Sequence, residues 1–347
     1  MRINILFGFA NGPTGGGNQF LSFLKKEFLQ RDVYSELKTA DCVIINSHHF
    51  GKFGIYLLQL IMRCIANPRL VILHRLDGLL SNGRGNPLFL QQDKQISFFS
   101  SKIANGVVYQ SEWARKEFQQ LFGTSLSQSS TAIIYNSAKD IFNEKGRKSF
   151  QAGEKINLVY SSWSTNAKKG FGALQYLDDT LDFEKYDFYF IGNMPPGTVY
   201  KNIKVVNPLS SDELATFYLS MHVFIAPMED DACSNAVIEA VKSKLLLIVR
   251  DSGGNREIAG PNSIFFTVDK QLGEILRNID SVISHLNDLK PPVHYDSTSY
   301  YIEYANELNA GKNSAKKKGR VTHLLKLYSQ FMLLNYGGPL RKKTFRF

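Results

Sequence analysis

At 347 residues and 44% hydrophobic content, the chain is long enough for two domains that each bury a core. Its three cysteines, Cys42, Cys64 and Cys233, have neither metal-ligand spacing nor the even count of a disulfide framework, so a reducing compartment is the default. The formal charge of +10 is unevenly placed: ten Lys or Arg and no acid fall in 311–347, leaving 31 of the 41 basic residues against 31 acidic ones.

Residues 3–7 read as the first strand. They begin without the longer apolar run and small-residue cleavage site of a signal peptide, which predicts a cytoplasmic protein, soluble or peripheral to a membrane. A loop over 8–17 enters a helix at about 18–29. Gly15, Gly16 and Gly17 are followed by Phe20 where a dinucleotide fingerprint requires a third glycine. They allow a ligand close to backbone amides at a helix start, or form a plain tight turn. The strand 42–46 ends in Ser47-His48-His49. The apolar segment 54–66, interrupted by Gln59 and Arg63, is too short to span a bilayer and reads as a helix. The strand 70–73 ends in His74-Arg75-Leu76-Asp77-Gly78, so both histidine groups are expected at strand carboxyl ends, the ligand edge of a parallel sheet. A lone His is nonetheless more often structural. Helices near 92–104 and 112–121 and strands 106–110 and 132–135 complete this half, and polar residues over 143–154 read as a linker.

The second half opens with a strand over 156–160 and then small polar residues, among them Ser164, leading to Lys168-Lys169-Gly170 at a helix start. Hydroxyls and ammonium groups in that position suit a diphosphate, or are simply solvated. A strand over 186–191 ends in Gly192-Asn193. Asp178-Asp179 reads as a helix end rather than a metal site, and Ser210 with Glu213 forms a capping box. Residues 224–257 organise the chain. A strand over 224–227 runs into Glu229-Asp230-Asp231, a helix capped by Ser234, a strand over 245–249, and the turn Ser252-Gly253-Gly254 that opens another short helix. This is the order of a parallel α/β sheet. Asn235, Glu239 and Lys242 share one helix face, and Val237, Ala240 and Val241 share the apolar one. Free amides and the helix dipole at Ser234, Asn235 and Ala236 favour a phosphate, and the carboxylates of Asp231 and Glu239 suit sugar hydroxyls. Alternatively, Glu239 pairs with Lys242 on a solvated face. An amphipathic helix over 271–289 stops at Pro291-Pro292.

The run DACSNAVIEA followed by SGGNREI resembles the donor-binding signature of retaining glycosyltransferases of family 4, in which two acidic residues seven apart precede a glycine pair and another Glu. HRLDG, VVYQSEWARKEF and IIYNSAKDIF are similar to parts of that family's acceptor domain. Three departures stand out. Asp231 replaces the usual Glu, and Lys244-Leu245-Leu246 replaces a Gly-x-Pro helix stop, a local cost of roughly 1 kcal/mol. Ser164 stands where the family usually has an Arg.

Over residues 1–290 the resemblance implies an α/β protein of the GT-B fold, two Rossmann-like parallel-sheet domains facing across a cleft. It divides the chain into an acceptor-side domain over 1–145, a nucleotide-sugar-binding domain over 155–310 and a basic helix or tail over 311–347. It implies a nucleotide-diphosphate sugar as donor, a glycan or lipid-linked acceptor, and no cofactor or metal. His74 is then expected at the reaction face, Asp231 at the sugar, Lys169 at the diphosphate and Glu239 at the ribose. Gly16, Gly17, Ser164, Asn193, Ser234, Asn235 and Ala236 are expected around the nucleotide sugar, and Asp77 orders its loop or touches the acceptor. A sugar-nucleotide epimerase and a catalytically silent binding relative are the alternatives, the second supported by Ser164. In the tail, Leu324, Leu325, Leu327, Tyr328, Phe331, Met332 and Leu334 form an apolar stripe that packs back on the body or lies on an anionic membrane surface. No aromatic and basic module for nucleic acid accompanies it.

Overall fold

A computed structural model of the chain describes residues 1–10, 15–83, 87–123, 130–146, 150–151, 153–279, 283, 296–311 and 319–337. It forms two compact units. One comprises Met1–Phe9, Leu21–Ile134 and Ser297–Phe347, the other Ala10–Phe20 and Tyr135–Asp296.

The sheet of the first unit runs in chain order, β1 (Ile3–Ile5), β2 (Cys42–Asn46), β3 (Val71–Leu76), β4 (Gly106–Tyr109) and β5 (Ser130–Ile133), all parallel. Its connections include α1 (Gly16–Gln30), α2 (Ile55–Ala66), α3 (Pro87–Lys102) and α4 (Glu112–Phe122). CVIIN and GVVY are buried throughout, as near-continuous apolar strands covered on both faces should be. β3 continues three residues past the predicted end at Leu73. His74 is therefore a strand residue, opposite Ile45 on one side and Val107 on the other. A polar side chain in a covered strand needs partners, and this one has them: its ring nitrogens lie 2.8 Å from Ser100 Oγ and 2.9 Å from the Ser47 carbonyl.

In the second unit β6 (Ile156–Ser162), β7 (Tyr186–Gly192), β8 (Lys204–Val206), β9 (Val223–Ala226), β10 (Leu246–Arg250) and β11 (Ile264–Phe266) form a parallel sheet in the order β11-β10-β9-β6-β7-β8. The chain builds outward from β6 in one direction, then returns to lay β9 on its other side. This switch point is where open α/β sheets bind ligands. Helices α5 (Phe171–Thr180), α6 (Ser211–Tyr218), α7 (Asn235–Lys242), α8 (Asn255–Ala259) and α9 (Asp269–Arg277) connect the strands. The capping box of Ser210 and Glu213 is present at α6. Asp178 holds the amides of Lys201, Asn202 and Ile203. Lys244, at the position of the missing glycine stop, takes the left-handed conformation with φ 52° and pairs with Glu144. The helix predicted over 271–289 starts two residues earlier and ends at Arg277 as α9, with Asn278 and Ile279 in a turn. Residues 280–282 and 284–295 lie outside the described residues.

Two more helices complete the first unit: α10 (Ser297–Ala310) and α11 (Arg320–Tyr336). Residues 297–310, read from sequence as part of the second domain, thus pack with the first sheet. Leu324, Leu327 and Phe331 of α11 are buried in the core that α2 and α3 share, and Leu334 is buried as well. Arg320 anchors its start by donating to the Leu70 carbonyl and to Asn105 Oδ1, both at 2.8 Å. The remaining basic tail, 312–318 and 338–347, lies outside the described residues. Among the described residues no helix is long and apolar enough to cross a membrane.

Candidate functional site

The loops after β6 and β9 meet at the switch point of the second sheet. Gly170 makes this possible: its φ is +78°, and a Cβ there would lie 2.6 Å from the Pro227 carbonyl oxygen. The Glu229 amide donates to the Lys168 carbonyl at 2.8 Å, so the lysine turn and the acidic loop are joined through backbone. Their side chains join as well. Lys169 Nζ is 2.6 Å from Asp231 Oδ2, and Lys168 pairs with Asp230. Burial opposes the charge on Lys169, but the Asp231 carboxylate and the Tyr160 hydroxyl outweigh it and hold the ammonium above its ordinary value.

The glycine turn after β10 supports this loop from below. Gly253 has φ +65°, a Cβ there would sit 2.5 Å from the Asp231 carbonyl oxygen, and the Gly254 amide donates to that oxygen at 2.8 Å. Ser252 Oγ accepts from the Asp230 amide, whose residue has a left-handed φ of 52°. Arg250, buried under the same loop, donates to the Pro227 carbonyl and pairs with Asp269. The other oxygen of Asp231 turns to its own helix, accepting from the Cys233 amide at 3.2 Å.

Around the start of α7 the predicted residues divide by task. Ser234 occupies the cap position, yet its hydroxyl accepts no helix amide. The Asn235 amide is spent on tethering: Nδ2 donates to the Gly16 carbonyl at 2.9 Å, and Oδ1 accepts from Asn136 Nδ2 at 2.7 Å. Gly16, where α1 begins two residues earlier than the predicted helix start, is thereby fastened to α7, with Gly15 against Trp163. Asn193 donates to the Trp163 carbonyl at 2.7 Å, and Ser164 Oγ accepts from the Asn166 amide. Glu239 does not pair with Lys242, which binds Asp140 and the Ala138 carbonyl. Among the described residues the Glu239 carboxyl makes no hydrogen bond or ion pair. Burial raises its pKa to about 8, against the pull of the Lys139 ammonium.

In the first unit His74 has no accessible surface, and burial lowers its pKa to about 4. It braces the edge of the sheet from inside. Asp77 sits beyond it with both oxygens engaged, by Arg75, by Gln110 at 2.7 Å and by Asn46 at 2.5 Å. His48 is likewise held, 2.6 Å from Gln95 Oε1, while His49 is the exposed histidine at this edge.

Residues 198–291 match the family described as Glycosyl transferases group 1. The second unit carries a glycosyltransferase segment. Glycosyl transfer is the reaction class this segment assigns to the chain. A search of curated protein sequences gives no match. Among solved structures, HepE of Anabaena in complex with UDP is similar over 95% of this chain and 98% of its own, at 13% identity and a TM-score of 0.60. Sucrose-phosphate synthase of Thermosynechococcus elongatus is similar over 99% of each chain, at 12% identity and 0.60. WaaG, a glycosyltransferase involved in lipopolysaccharide biosynthesis, is similar over 93% and 99%, at 11% and 0.60. At these identities the likeness is one of fold, and that fold is GT-B, two Rossmann-like α/β units with parallel sheets. The glycosyltransferase segment includes the acidic loop, α7 and the glycine turn, but begins after Lys169 and Asn193.

Sequence reasoning missed Asn136, Trp163, Lys139 and Arg250. Asn136 stands in the IIYNS string directly after a predicted strand, the one local signal available. The others act only through neighbours far away in the chain.

Proposed function

We propose that the chain is a retaining glycosyltransferase that moves a sugar from a nucleotide-diphosphate sugar to a glycan or lipid-linked acceptor in surface polysaccharide synthesis, with no resident cofactor or metal. The observation that carries this reading is the Lys169–Asp231 pair, 2.6 Å apart at the switch point of the unit that holds the glycosyltransferase segment. Departure of the diphosphate from an oxocarbenium-like sugar concentrates negative charge on the leaving oxygens. Lys169 and the first amides of α7 stabilise that charge as it develops. Asp231 accepts from the sugar hydroxyls, Glu239 from the ribose, and Ser164 and Asn193 border the diphosphate. Gly16 and Gly17, held by Asn235, let the donor approach backbone.

Retention follows from front-side displacement, in which the departing phosphate oxygen takes the acceptor proton. No separate base is then required. His74 acts as a positioning residue behind the Ser47 carbonyl, and Asp77 orders the acceptor-side loop. HepE has been solved with UDP and with UDP-glucose, which makes a UDP-sugar the first donor to try. The basic tail suits the cytoplasmic face of an anionic membrane, where a lipid-linked acceptor would be met.

Thermal unfolding against UDP, GDP, ADP and CMP, with and without magnesium, tests the reading, since a ligand at about 100 times its Kd stabilises by roughly 2.7 kcal/mol. A shift with one diphosphate that magnesium does not change, followed by transfer from the matching nucleotide sugar, is the expected result. Conversion of that nucleotide sugar without an acceptor would instead indicate an epimerase. No shift with any nucleotide would favour the silent relative, with Ser164 as its physical cause.

A further inference from the structure

Trp163 directly follows β6, and the turn that carries it is fixed from both sides. The Ser162 carbonyl accepts from the Asn193 amide at 3.2 Å and the Trp163 carbonyl from Asn193 Nδ2 at 2.7 Å, which pins both to the end of β7. So close an approach needs a glycine before Asn193. Gly192 has φ +144°, and a Cβ there would lie 1.8 Å from the Ser162 carbonyl oxygen. On the other side, Ser162 Oγ donates to the Ser164 carbonyl at 3.0 Å, and the Asn166 amide donates to Ser164 Oγ at 3.2 Å. Asn166 in turn accepts from the lysine turn, its Oδ1 from the Lys168 amide and its carbonyl from the Lys169 amide, each at 2.9 Å. The backbone of Trp163 is thus tied to that of Lys169.

The indole is not buried in this frame. Trp163 is 43% exposed, and its Cδ1, the carbon bonded to Nε1, is 3.6 Å from where a Cβ of Gly15 would be. The donor edge of the ring therefore borders Gly15, whose neighbour Gly16 is tied by Asn235 to the start of α7. Among the described residues Nε1–H has no hydrogen-bond partner. A lone exposed ring requires no ligand. This one carries an unused donor on a turn bonded to the lysines on one side and bordering the anchor of α7 on the other.

Charge indicates what that donor serves. Lys168 and Lys169 are each paired with a carboxylate, Asp230 and Asp231, and Arg250 is paired with Asp269. A diphosphate at the lysine turn shares those cations with acids and takes its remaining hydrogen bonds from neutral donors. A bond to an anionic oxygen is about twice as strong as one between neutral groups. An indole offers one donor and no acceptor, so it adds attraction for phosphate without repulsion. Because its backbone is already fixed, that donor is in place before the ligand arrives.

We infer that Trp163 is a diphosphate-binding residue, its Nε1–H donating to a non-bridging phosphate oxygen beside Lys169. The inference rests on the nucleotide-diphosphate donor of the proposed function and adds to it a residue that lies outside the matched segment 198–291.

Trp163→Phe keeps a ring and removes the donor, whereas Trp163→Ala removes both. Each is titrated by calorimetry with UDP, GDP or ADP, whichever stabilises the parent, and with the corresponding nucleoside. Trp163→Phe is expected to keep the parental melting temperature and nucleoside affinity and to bind the diphosphate about tenfold more weakly. Parental diphosphate affinity in Trp163→Phe overturns the inference, and a loss confined to Trp163→Ala would show that the ring stacks instead. Equal losses for nucleoside and diphosphate overturn it as well, since the ring would then serve the base. A second readout keeps the indole in place. The chain has two tryptophans, so Trp113→Phe leaves Trp163 as the one emitter, and its fluorescence is expected to change on saturation with the diphosphate. Emission that ignores a saturating diphosphate is a further overturning result. A parent that binds no nucleoside diphosphate fails the donor reading and this inference together, whereas a parent that binds one no more tightly than Trp163→Phe fails this inference alone.

Discussion

Lys169 Nζ lies 2.6 Å from Asp231 Oδ2, although 61 residues separate the two in the chain. The two charges balance each other, and a diphosphate bound at Lys169 would share the ammonium with this carboxylate. Lys169→Met is expected to reduce affinity for the preferred nucleoside diphosphate at least about tenfold and to cost roughly 1.5–3 kcal/mol of stability, because it strands a carboxylate that is only 17% exposed. Calorimetric titration and thermal unfolding check both. Unchanged diphosphate affinity would remove Lys169 from the site.

The neighbouring pair distinguishes a ligand from a latch. Lys168 and Asp230 are about a third exposed, so their contact contributes no more than about 1 kcal/mol to stability. If Lys168 compensates for the serine at position 164, Lys168→Met weakens diphosphate binding several-fold and leaves the nucleoside unaffected, whereas Asp230→Asn frees the cation and strengthens it. Equal losses in both variants would mean that the pair only holds the loop.

Glu239 gives a pH dependence of defined sign. Its folded pKa of about 8 lies above the ordinary 4.5, so the folded chain holds a proton that the unfolded chain releases. The stability this contributes is full below about 4.5 and is lost as pH rises through 8. Glu239→Gln, which cannot ionise, is expected to keep its melting temperature across that window while the parent declines. If the carboxylate accepts from ribose hydroxyls, the parent also releases a proton on binding. Titration in buffers of different ionisation enthalpy would detect it, and an identical heat in every buffer would argue against the ribose role.

His74 behaves in the opposite sense. Burial holds its pKa at about 4 against an ordinary 6.5, so the unfolded chain takes up the proton first, and stability present above 6.5 is lost as pH falls towards 4. His48, lowered by burial to about 4, adds in the same direction. His74→Ala is expected to destabilise by roughly 2–4 kcal/mol through the cavity and the two lost contacts. Nucleotide affinity should stay at the parental value, and acid unfolding should become shallower. A variant as stable as the parent but inactive would return His74 to the reaction face.

Much of the fold was legible because its signals are local. Apolar runs such as CVIIN and VFIA, the Ser210 and Glu213 box and the Gly-rich turns each act within a few residues, and they set strands, helices and the α/β order. The acidic loop and the cap position of α7 were legible for the same reason. Pairing was not. Nothing local made His74 an interior strand residue; β3 extends because β2, β4 and α3 cover it and supply partners for both ring nitrogens. Lys242 was a plausible partner for Glu239 by helical spacing, but Asp140 captured it from a distant loop, leaving the carboxyl without an ion pair and its pKa raised by burial. The Asn235 side chain ties Gly16 to α7, a contact that helical spacing does not reveal. The sequence determined which chemical groups this protein brings to its sheet edges. The tertiary structure decided which of them neutralise one another, because pairing and desolvation depend on distances across the fold that local sequence does not set.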